Sequence, residues 1–270
     1  MRGSERKTEI EALIRRLEVL EHCCRSPAHV RDLLEHTDQS RSTINRAIAE
    51  LEGVGFVERG ENGFEATSTG RLSRDRLLAF LDELDDIRTA ETVLDPLPAD
   101  AGIDPDVVEG GEAILAADSV PCRPEERIHE QLADATHYRA LIPWIDDPRH
   151  VRLLYEHVVT EGHPAELVVT PEVFRALRRD FPRRTAAMAN EDGFTLFVGS
   201  FPPYGLSLAA RESDSADVTT VVLAAFTEET SVHGVLVNES DSALEWAEER
   251  YERVRREATD RTNDLITDAA

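Results

Sequence analysis

Apolar residues recur at helical spacing over the first part of the chain. From Thr8 to Cys24 they fall at three- and four-residue steps, which predicts a first helix that contributes to a core. Two shorter amphipathic segments follow between residues 30 and 53, separated by a polar break at Asp38-Gln39. Glycines and an apolar strand come directly after them. This order of elements is typical of a winged helix-turn-helix.

The second of these short helices, predicted over residues 40–53, has one apolar and one polar face. Its polar face carries serine, arginine, threonine and asparagine, and no acidic residue lies between Gln39 and Ala49. One small surface of an otherwise acidic protein can therefore approach phosphate groups. The apolar face of the helix consists of Ile44, Ala47, Ile48 and Leu51.

A hairpin and a long helix are predicted next. The sequence Gly-Glu-Asn-Gly at 60–63 contains the Asn-Gly pair that tight hairpin turns favour, and this predicts the wing. The long helix covers residues 71–94 and ends before a linker rich in aspartate, glycine and proline. An apolar row on this helix favours dimerisation over packing against a second domain of the same chain. The row consists of Leu77, Phe80, Leu84, Ile87 and Leu94.

Beyond residue 105 strands and helices alternate, which indicates a parallel or mixed sheet covered by helices. We expect the first three strands at 138–143, 165–170 and 194–198. Three further strands, joined by short polar turns, are expected as antiparallel additions at 204–209, 218–226 and 231–238, before a long last helix that Ser242 caps. The predicted fold class is α+β or α/β. The predicted domains are a winged helix-turn-helix at 1–70, a dimerisation helix and linker at 71–105, and an α/β output domain at 106–270.

The charge changes this picture in one respect. The formal net charge is −24, with 54 acidic and 30 basic residues, and Lys7 is the only lysine. Residues 1–70 hold 10 basic and 13 acidic residues, so most of the excess negative charge lies in residues 71–270. An acidic surface almost without lysine resembles that of proteins from extreme halophiles. In their salt-filled cytoplasm the Debye length is about 3 Å at 1 M salt, so repulsion between the carboxylates is screened.

Cysteine usage and hydropathy exclude several classes of protein. Cys23, Cys24 and Cys122 are few, odd in number and without C-x-x-C spacing, so we expect neither a disulfide framework nor a zinc ribbon. His22 and the two adjacent cysteines raise the alternative of a metal sensor. Neighbouring helical residues point about 100° apart, which favours core cysteines instead. No apolar run reaches about 18 residues, and we expect a cytoplasmic protein that contacts no membrane.

Four motifs in the same order resemble those of a known family. They read S-R-S-T-I-N-R-A-I-A-E-L-E-G-V-G-F-V (40–57), A-L-I-P-W (140–144), A-E-L-V-V-T-P-E-V (165–173) and A-L-E-W-A-E-E-R-Y-E-R-V-R (243–255). The chain resembles archaeal winged-helix transcriptional regulators, common in haloarchaea, that carry an ArsR-like head and a methanogen-output-type domain. The resemblance implies DNA binding by the head and an output or sensing role for the rest.

The first turns of a recognition helix meet base edges in helix-turn-helix proteins. Arg41 can bind guanine, Asn45 can bind adenine, and Arg46 suits a phosphate. The alternative for two positions is structural: Ser40 caps the helix, and Arg46 pairs with Glu50 at i+4. The predicted DNA-binding residues are Ser40, Arg41, Ser42, Thr43, Asn45 and Arg46, with Arg59 and Asn62 on the wing.

In open α/β sheets, ligands bind beyond the carboxyl ends of the strands. Trp144 stands after one such strand and is either a platform for a small, partly apolar effector or a plug for the helix behind it. The candidate ligand-binding residues are Trp144, Thr170, Ser200 and Tyr204.

Catalytic motifs are missing from the sequence. Phospholipase-D-like nucleases need H-x-K-x4-D, which a chain with Lys7 as its only lysine cannot form, and no G-x-S-x-G, P-loop or H-E-x-x-H occurs. We therefore expect no enzyme, no cofactor and no metal. The predicted function is an effector-responsive, sequence-specific DNA-binding transcription regulator, acting as a homodimer on double-stranded DNA. The alternative is a protein–protein interaction module whose winged helix contacts the transcription machinery.

Overall fold

A computed structural model describes residues 2–116, 122–145, 147–212, 217–227 and 231–266. The chain divides into two compact units, Met1–Leu84 (unit 1) and Asp85–Ala270 (unit 2). The division falls inside a long helix, at a different place from the predicted domain boundaries, which stay a prediction. Within the described residues, no helix combines the length and the apolar character that crossing a bilayer requires.

Unit 1 is a three-helix head with a hairpin, preceded by one more helix. A single first helix was predicted, but the structure breaks it at Arg16, whose backbone leaves the helical conformation. Ile10 and Ile14 on the first piece are exposed rather than part of the core. The elements are α1 (Arg2–Arg15), α2 (Leu17–Arg25), α3 (Val30–His36), α4 (Arg41–Gly53), β1 (Val57–Gly60), β2 (Gly63–Ala66) and the first part of α5 (Ser68–Leu94).

The core of unit 1 joins α2, α3, α4 and the hairpin. Leu20, Leu33 and Ile44 are fully buried in it. Strands β1 and β2 pair antiparallel, and Ala28 extends the sheet by exchanging two backbone hydrogen bonds of 2.9 Å with Phe64. Gly63 has a φ of +122°, and a Cβ there would meet the backbone of Ala28 at 2.7 Å. The close approach of these two backbone segments therefore requires glycine at this position.

Unit 2 is built on one large mixed sheet. It contains the end of α5, then α6 (Pro105–Val108), β3 (Glu112–Leu115), α7 (Arg123–Asp134), β4 (His137–Ile142), α8 (Pro148–Tyr155), a π-helical turn (Glu156–Thr160), β5 (Ala165–Val169), α9 (Pro171–Asp180), α10 (Pro182–Ala189), β6 (Phe194–Val198), β7 (Gly205–Arg211), β8 (Val218–Phe226), β9 (Val232–Asn238), α11 (Asp241–Glu257), β10 (Thr259–Asp260) and a 3₁₀ turn (Thr262–Leu265).

The order of the eight described strands is β10-β6-β5-β4-β7-β8-β9-β3. Strands β4, β5 and β6 are parallel, and the other pairs are antiparallel. The mixed α+β architecture predicted from the strand–helix rhythm is thereby confirmed. Strand β3 was not predicted, because its four residues carry little pattern of their own.

Two apolar layers cover the sheet. On one face, α8, α9 and α10 pack over Ala140, Ile142 and Leu167. On the other face, α6, α11 and the end of α5 pack over Leu141, Leu206 and other buried residues. The segment predicted as a linker contributes Ala101 to this second layer. The last helix begins two residues earlier than predicted, because Ser240 rather than Ser242 accepts the hydrogen bond that caps it, from the Ala243 N–H at 3.2 Å.

Candidate nucleic-acid interface and sheet cavity

Helix α4 presents a polar face at its N-terminal end. Ser40 caps the helix, because its Oγ accepts a hydrogen bond of 3.2 Å from the backbone N–H of Thr43. The buried positions of α4 hold the helix against the core and turn its other side outward. The exposed residues on that side are Arg41, Ser42, Asn45 and Arg46, and we call them the recognition face.

Glu50 does not neutralise the recognition face. The alternative i+4 ion pair between Arg46 and Glu50 does not form, because Glu50 binds Arg16 through two hydrogen bonds of 2.8 and 3.1 Å. This bond holds the pKa of the Glu50 carboxyl below its usual range. Among the described residues no ion pair engages Arg41 or Arg46. The structure therefore leaves both guanidinium groups available to a partner.

The hairpin stands as a wing with mixed charge. Asn62 is exposed at its tip, and the guanidinium of Arg59 lies 5.8 Å from the centre of the Phe64 ring. Glu58 and Glu61 are exposed beside them. These carboxylates oppose a phosphate contact, and the wing is the weaker half of the candidate interface.

The adjacent cysteines Cys23 and Cys24 belong to the core of unit 1. Cys23 is fully buried, and burial, with a smaller contribution from Cys24, raises the pKa of its thiol to about 11. Among the described residues, neither cysteine belongs to a group of potential metal ligands that lie close together. The side chains of Cys23 and Cys24 therefore contribute packing.

A cavity opens in unit 2 between the sheet and helices α7 and α8. Its volume is about 70 Å³, whereas one buried water needs about 10–15 Å³ on the same measure. Strands β4, β7 and β8 supply an apolar floor that includes Ala140, Ile142 and Ala224. Trp144 stands at the rim with 44% of its surface exposed. We call this space the sheet cavity.

Polar groups converge on the sheet cavity from the helices. Glu125 and His129 of α7 and His150 of α8 line it, and the two histidine rings lie 5.8 Å apart. Burial, and secondarily the neighbouring His129, lowers the pKa of His150 to about 4. Its Nε2 atom is buried and has no hydrogen-bond partner among the described residues. An uncharged imidazole therefore offers one free hydrogen-bonding position.

A buried hydrogen-bond chain supports the floor of the cavity. The Ser207 hydroxyl donates to the Gln131 side-chain oxygen at 2.8 Å, and the Gln131 amide donates to the Thr220 carbonyl at 2.6 Å. Burial also raises the pKa of the Tyr138 hydroxyl, and the Ser207 side chain opposes this effect. These groups are fixed in place, as a selective binding site requires.

Only one of the four candidate ligand residues lines the sheet cavity. Trp144 does, whereas Thr170 caps α9 and donates to the Pro143 carbonyl, and Ser200 lies exposed in a loop. Tyr204 is fully buried under α11, with its ring 6.2 Å from that of Trp246. The expectation that Trp144 and Tyr204 frame one site therefore needs correction, because the two side chains lie on opposite faces of the sheet.

Sequence reasoning missed the polar residues of the cavity. Glu125 and His129 lie one helical turn apart, next to the apolar residues that α7 turns toward the sheet. Ser207 interrupts the apolar strand β7. Polar residues at positions that the periodicity assigns to a core were the available signal.

A comparison with curated proteins finds no match for this chain. Solved structures give distant likenesses. TrmBL2, an archaeal chromatin protein whose structure shows a novel mode of DNA binding, is 11% identical, with 86% of this chain and 88% of that chain covered and a TM-score of 0.42. Phosphatidylserine synthase of Haemophilus influenzae is 10% identical over 56% of this chain and 39% of its own, with a TM-score of 0.39. HmgR of Pseudomonas aeruginosa is 16% identical over 90% and 96%, with a TM-score of 0.23.

These structural likenesses are too distant to bear on function, whereas two family models match the sequence directly. Residues 8–89 match the HVO_A0261 N-terminal domain, which covers the helix-turn-helix and the wing. Residues 121–257, just over half of the chain, match the middle domain of the methanogenesis regulatory protein FilR1, and these residues include the strands and helices around the sheet cavity. The chain therefore belongs to the family defined by the FilR1 middle domain.

Proposed function

We propose that this protein is an effector-responsive transcription regulator that binds specific double-stranded DNA as a homodimer, with α4 in the major groove. The observation that carries the proposal is the recognition face, which is exposed, polar and free of acidic residues in a chain of net charge −24. Membership of a family named for a regulatory protein supports the same role. The missing catalytic motifs support a regulator rather than an enzyme.

The chemistry of the recognition face suits base edges. Arg41 lies in the first turn of α4, where helix-turn-helix proteins contact bases, and its fork matches the N7 and O6 atoms of guanine. Asn45, one turn later, matches adenine, and Arg46 faces the phosphate backbone in the same arrangement. Glu50 is hydrogen-bonded to Arg16, and neither Arg41 nor Arg46 forms an ion pair among the described residues.

The acidic surface constrains where such binding takes place. At low salt a net charge of −24 repels DNA over long distances. In molar salt the Debye length is about 3 Å, so that repulsion beyond the contact surface disappears. We propose a halophilic cytoplasm as the working environment, where hydrogen bonds to base edges carry more of the affinity than phosphate contacts do.

The experiment is to select bound fragments from genomic DNA in molar KCl and to measure their affinity for variants. Arg41→Ala should lose about 1–3 kcal/mol of discrimination between the operator and a version with one base pair changed. Arg46→Ala should weaken binding to all duplexes alike. Lys7→Ala, which removes an exposed charge from α1, is the matched control.

Two results would contradict this assignment. One is operator binding by both arginine variants at the wild-type level. The other is a wild-type chain that selects no DNA but binds a component of the transcription machinery, which would favour the protein–protein interaction module.

Dimerisation is proposed from the part of the apolar row on α5 that precedes Leu94, because Leu94 itself packs against the core of unit 2. In this row Phe80 is 52% and Ile87 39% exposed, and the neighbouring Leu81 is 40% exposed, so apolar side chains of α5 face solvent in the single chain. A second copy of the same row would cover it and supply the second head that a palindromic operator needs. Light scattering in molar KCl should give a dimer for the wild type and a monomer for Phe80→Glu.

Thr89→Glu is the matched control for dimerisation, because it adds the same charge on the opposite side of α5. This variant should remain dimeric. A wild-type monomer at micromolar concentration would remove the basis for a two-fold operator.

The effector is proposed to bind in the sheet cavity, as a small and partly apolar molecule with one group that hydrogen-bonds to His150 Nε2. To regulate, it must bind one arrangement of the dimer better than another. Trp246→Phe leaves Trp144 as the only tryptophan, so that its fluorescence reports on the rim of the cavity. A metabolite that changes both this fluorescence and operator affinity supports the proposal. A screen in which no compound changes both would contradict it.

A further inference from the structure

Three potential metal ligands meet at the end of α8 that is remote from the sheet cavity. They are His157 in the π-helical turn, Glu161 directly after it and His163, and we call them the triad. One donor atom from each lies within 4.8 Å of the donors of the other two. His163 Nδ1 and a Glu161 carboxylate oxygen are 3.4 Å apart. Two ligands of a tetrahedral zinc ion with bonds of about 2.0–2.1 Å lie about 3.3 Å apart, so this edge is already at ligand spacing.

His157 is prepared for such a role by its surroundings. The residue is 2% exposed, and its Nε2 lies 3.2 Å from the Pro164 carbonyl oxygen, to which it can only donate. The proton therefore sits on Nε2 and the lone pair on Nδ1. That Nδ1 atom is buried and has no hydrogen-bond partner in the part of the chain that the structure describes. Metal-binding histidines commonly make this kind of bond from their other nitrogen to a backbone carbonyl.

His163 shares one of these features. Its Nδ1 atom is also buried without a hydrogen-bond partner among the described residues, although it faces the Glu161 carboxylate. The rings of His157 and His163 lie edge to face, with centres 5.2 Å apart. His157 Nδ1 has no hydrogen-bond partner among the described residues, and the 3.4 Å contact of His163 Nδ1 with Glu161 is long for a hydrogen bond, so both nitrogens are poorly satisfied as they stand. A cation between them would satisfy all three groups.

The backbone holds the triad together over a short stretch. The His163 N–H donates to the His157 carbonyl at 2.9 Å, and the Glu161 N–H donates to the Glu156 carbonyl at 3.0 Å. Gly162 has a φ of +74°, the left-handed conformation that brings the chain back over the turn. π-helical turns are rare and often lie at functional sites.

We propose that His157, Glu161 and His163 bind a first-row divalent metal ion of the zinc class, with water in the remaining position. Two imidazoles and one carboxylate suit zinc, cobalt, nickel or copper, whereas magnesium and calcium prefer sites made of oxygen alone. A site with three protein ligands leaves one position open. This inference concerns a different site from the recognition face and the sheet cavity, and it stands independently of the proposed function.

The test is zinc binding by the full chain, freed of metal by a chelator and studied in molar KCl. Calorimetry should give one zinc ion per chain, and bound cobalt should give the visible spectrum of a tetrahedral site. Glu161→Ala and His163→Ala should each lower zinc affinity by at least about tenfold to 100-fold, the range known for disturbed metal sites. Zinc should raise the unfolding temperature of the wild type but not of these two variants. Both variants change partly exposed side chains, so we expect both to fold.

His36→Ala is the control, because the rings of His22 and His36 in unit 1 are 5.2 Å apart and offer another histidine pair. This variant should bind zinc at the triad like the wild type. Wild-type affinity in both triad variants would overturn the proposal, and so would loss of the site in His36→Ala. Equal binding of magnesium at the same site would overturn the metal class.

Discussion

Unit 1 carries its candidate functional groups on the surface, whereas unit 2 buries them. Arg41, Asn45 and Arg46 of the recognition face are exposed and make no ion pairs among the described residues. In the sheet cavity, His129 and Ser207 are 4% and 5% exposed, and the Ser207 hydroxyl is bonded to Gln131. A partner as large as DNA can bind to an exposed surface, while selective binding of a small molecule requires an enclosed cavity.

This difference predicts opposite responses to substitution. Exposed groups without a partner in the free protein contribute little to its stability, and their removal mainly lowers the affinity for a ligand or DNA. Buried groups that are already paired contribute to stability, and their loss leaves a partner unsatisfied.

Charge reversal on the recognition face should give the largest effect. Arg41→Glu combined with Arg46→Glu should lower operator affinity at least about 100-fold, because a base contact worth about 1–3 kcal/mol and a phosphate contact are both replaced by repulsion. The free energy of unfolding should stay within about 0.5 kcal/mol of the wild type, since both side chains are exposed. Gel shifts and urea denaturation in molar KCl measure the two quantities. Lys7→Glu with Arg15→Glu adds the same charge on α1 and should leave operator binding intact.

The same chemical change in the two units should differ in its cost. Ser207→Ala leaves the buried Gln131 oxygen without its donor and should destabilise unit 2 by about 1–3 kcal/mol. Ser42→Ala on exposed α4 should change the free energy of unfolding by less than about 0.5 kcal/mol. Urea denaturation of both variants provides the measurement. Equal destabilisation would break the contrast between the units.

The histidines of unit 2 should make its stability depend on pH. The folded pKa of His150 is about 4, below the ordinary value of about 6.5. Between these values the unfolded chain binds a proton that the folded chain does not, so stability falls as the pH falls through this window. The slope is at most about 1.4 kcal/mol per pH unit for one such group. Asp147 opposes the shift, whereas His129 reinforces it.

His150→Gln should reduce this slope without removing it, because burial also lowers the pKa of His157. Denaturation at a series of pH values between about 4 and 7 gives the comparison with the wild type. An unchanged slope in the variant would show that His150 is not held in its neutral form.

The wing should give the smallest effect. Arg59→Ala should weaken binding to all duplexes alike and lower the slope of log affinity against log salt by about one, as loss of a single phosphate contact does. Glu58→Ala, which removes an exposed carboxylate from the same strand, should act in the opposite direction. Equal slopes for wild type and Arg59→Ala would restrict the interface to α4.

The recognition helix and the hairpin could be predicted from the sequence because their causes are local. Ser40 caps α4, four apolar residues at helical spacing turn one side of it inward, and Gly63 closes the hairpin. Each of these depends on residues within a few positions of one another. The strand–helix rhythm of unit 2 is local in the same sense, which is why the six expected strands of the sheet appear.

The sheet cavity could not be predicted in this way, because strand register brings its residues together. Ala140 pairs with Ser207 and Tyr138 with Ala209, so that odd-numbered residues of β7 share the face of even-numbered residues of β4. Tyr204 therefore faces away from Trp144, although both stand at strand ends. Register over such sequence distances depends on how whole layers pack, and so does the pairing of β3 with β9. Local pattern specifies which side of a helix faces the core. Packing between distant segments specifies which polar side chains share a cavity.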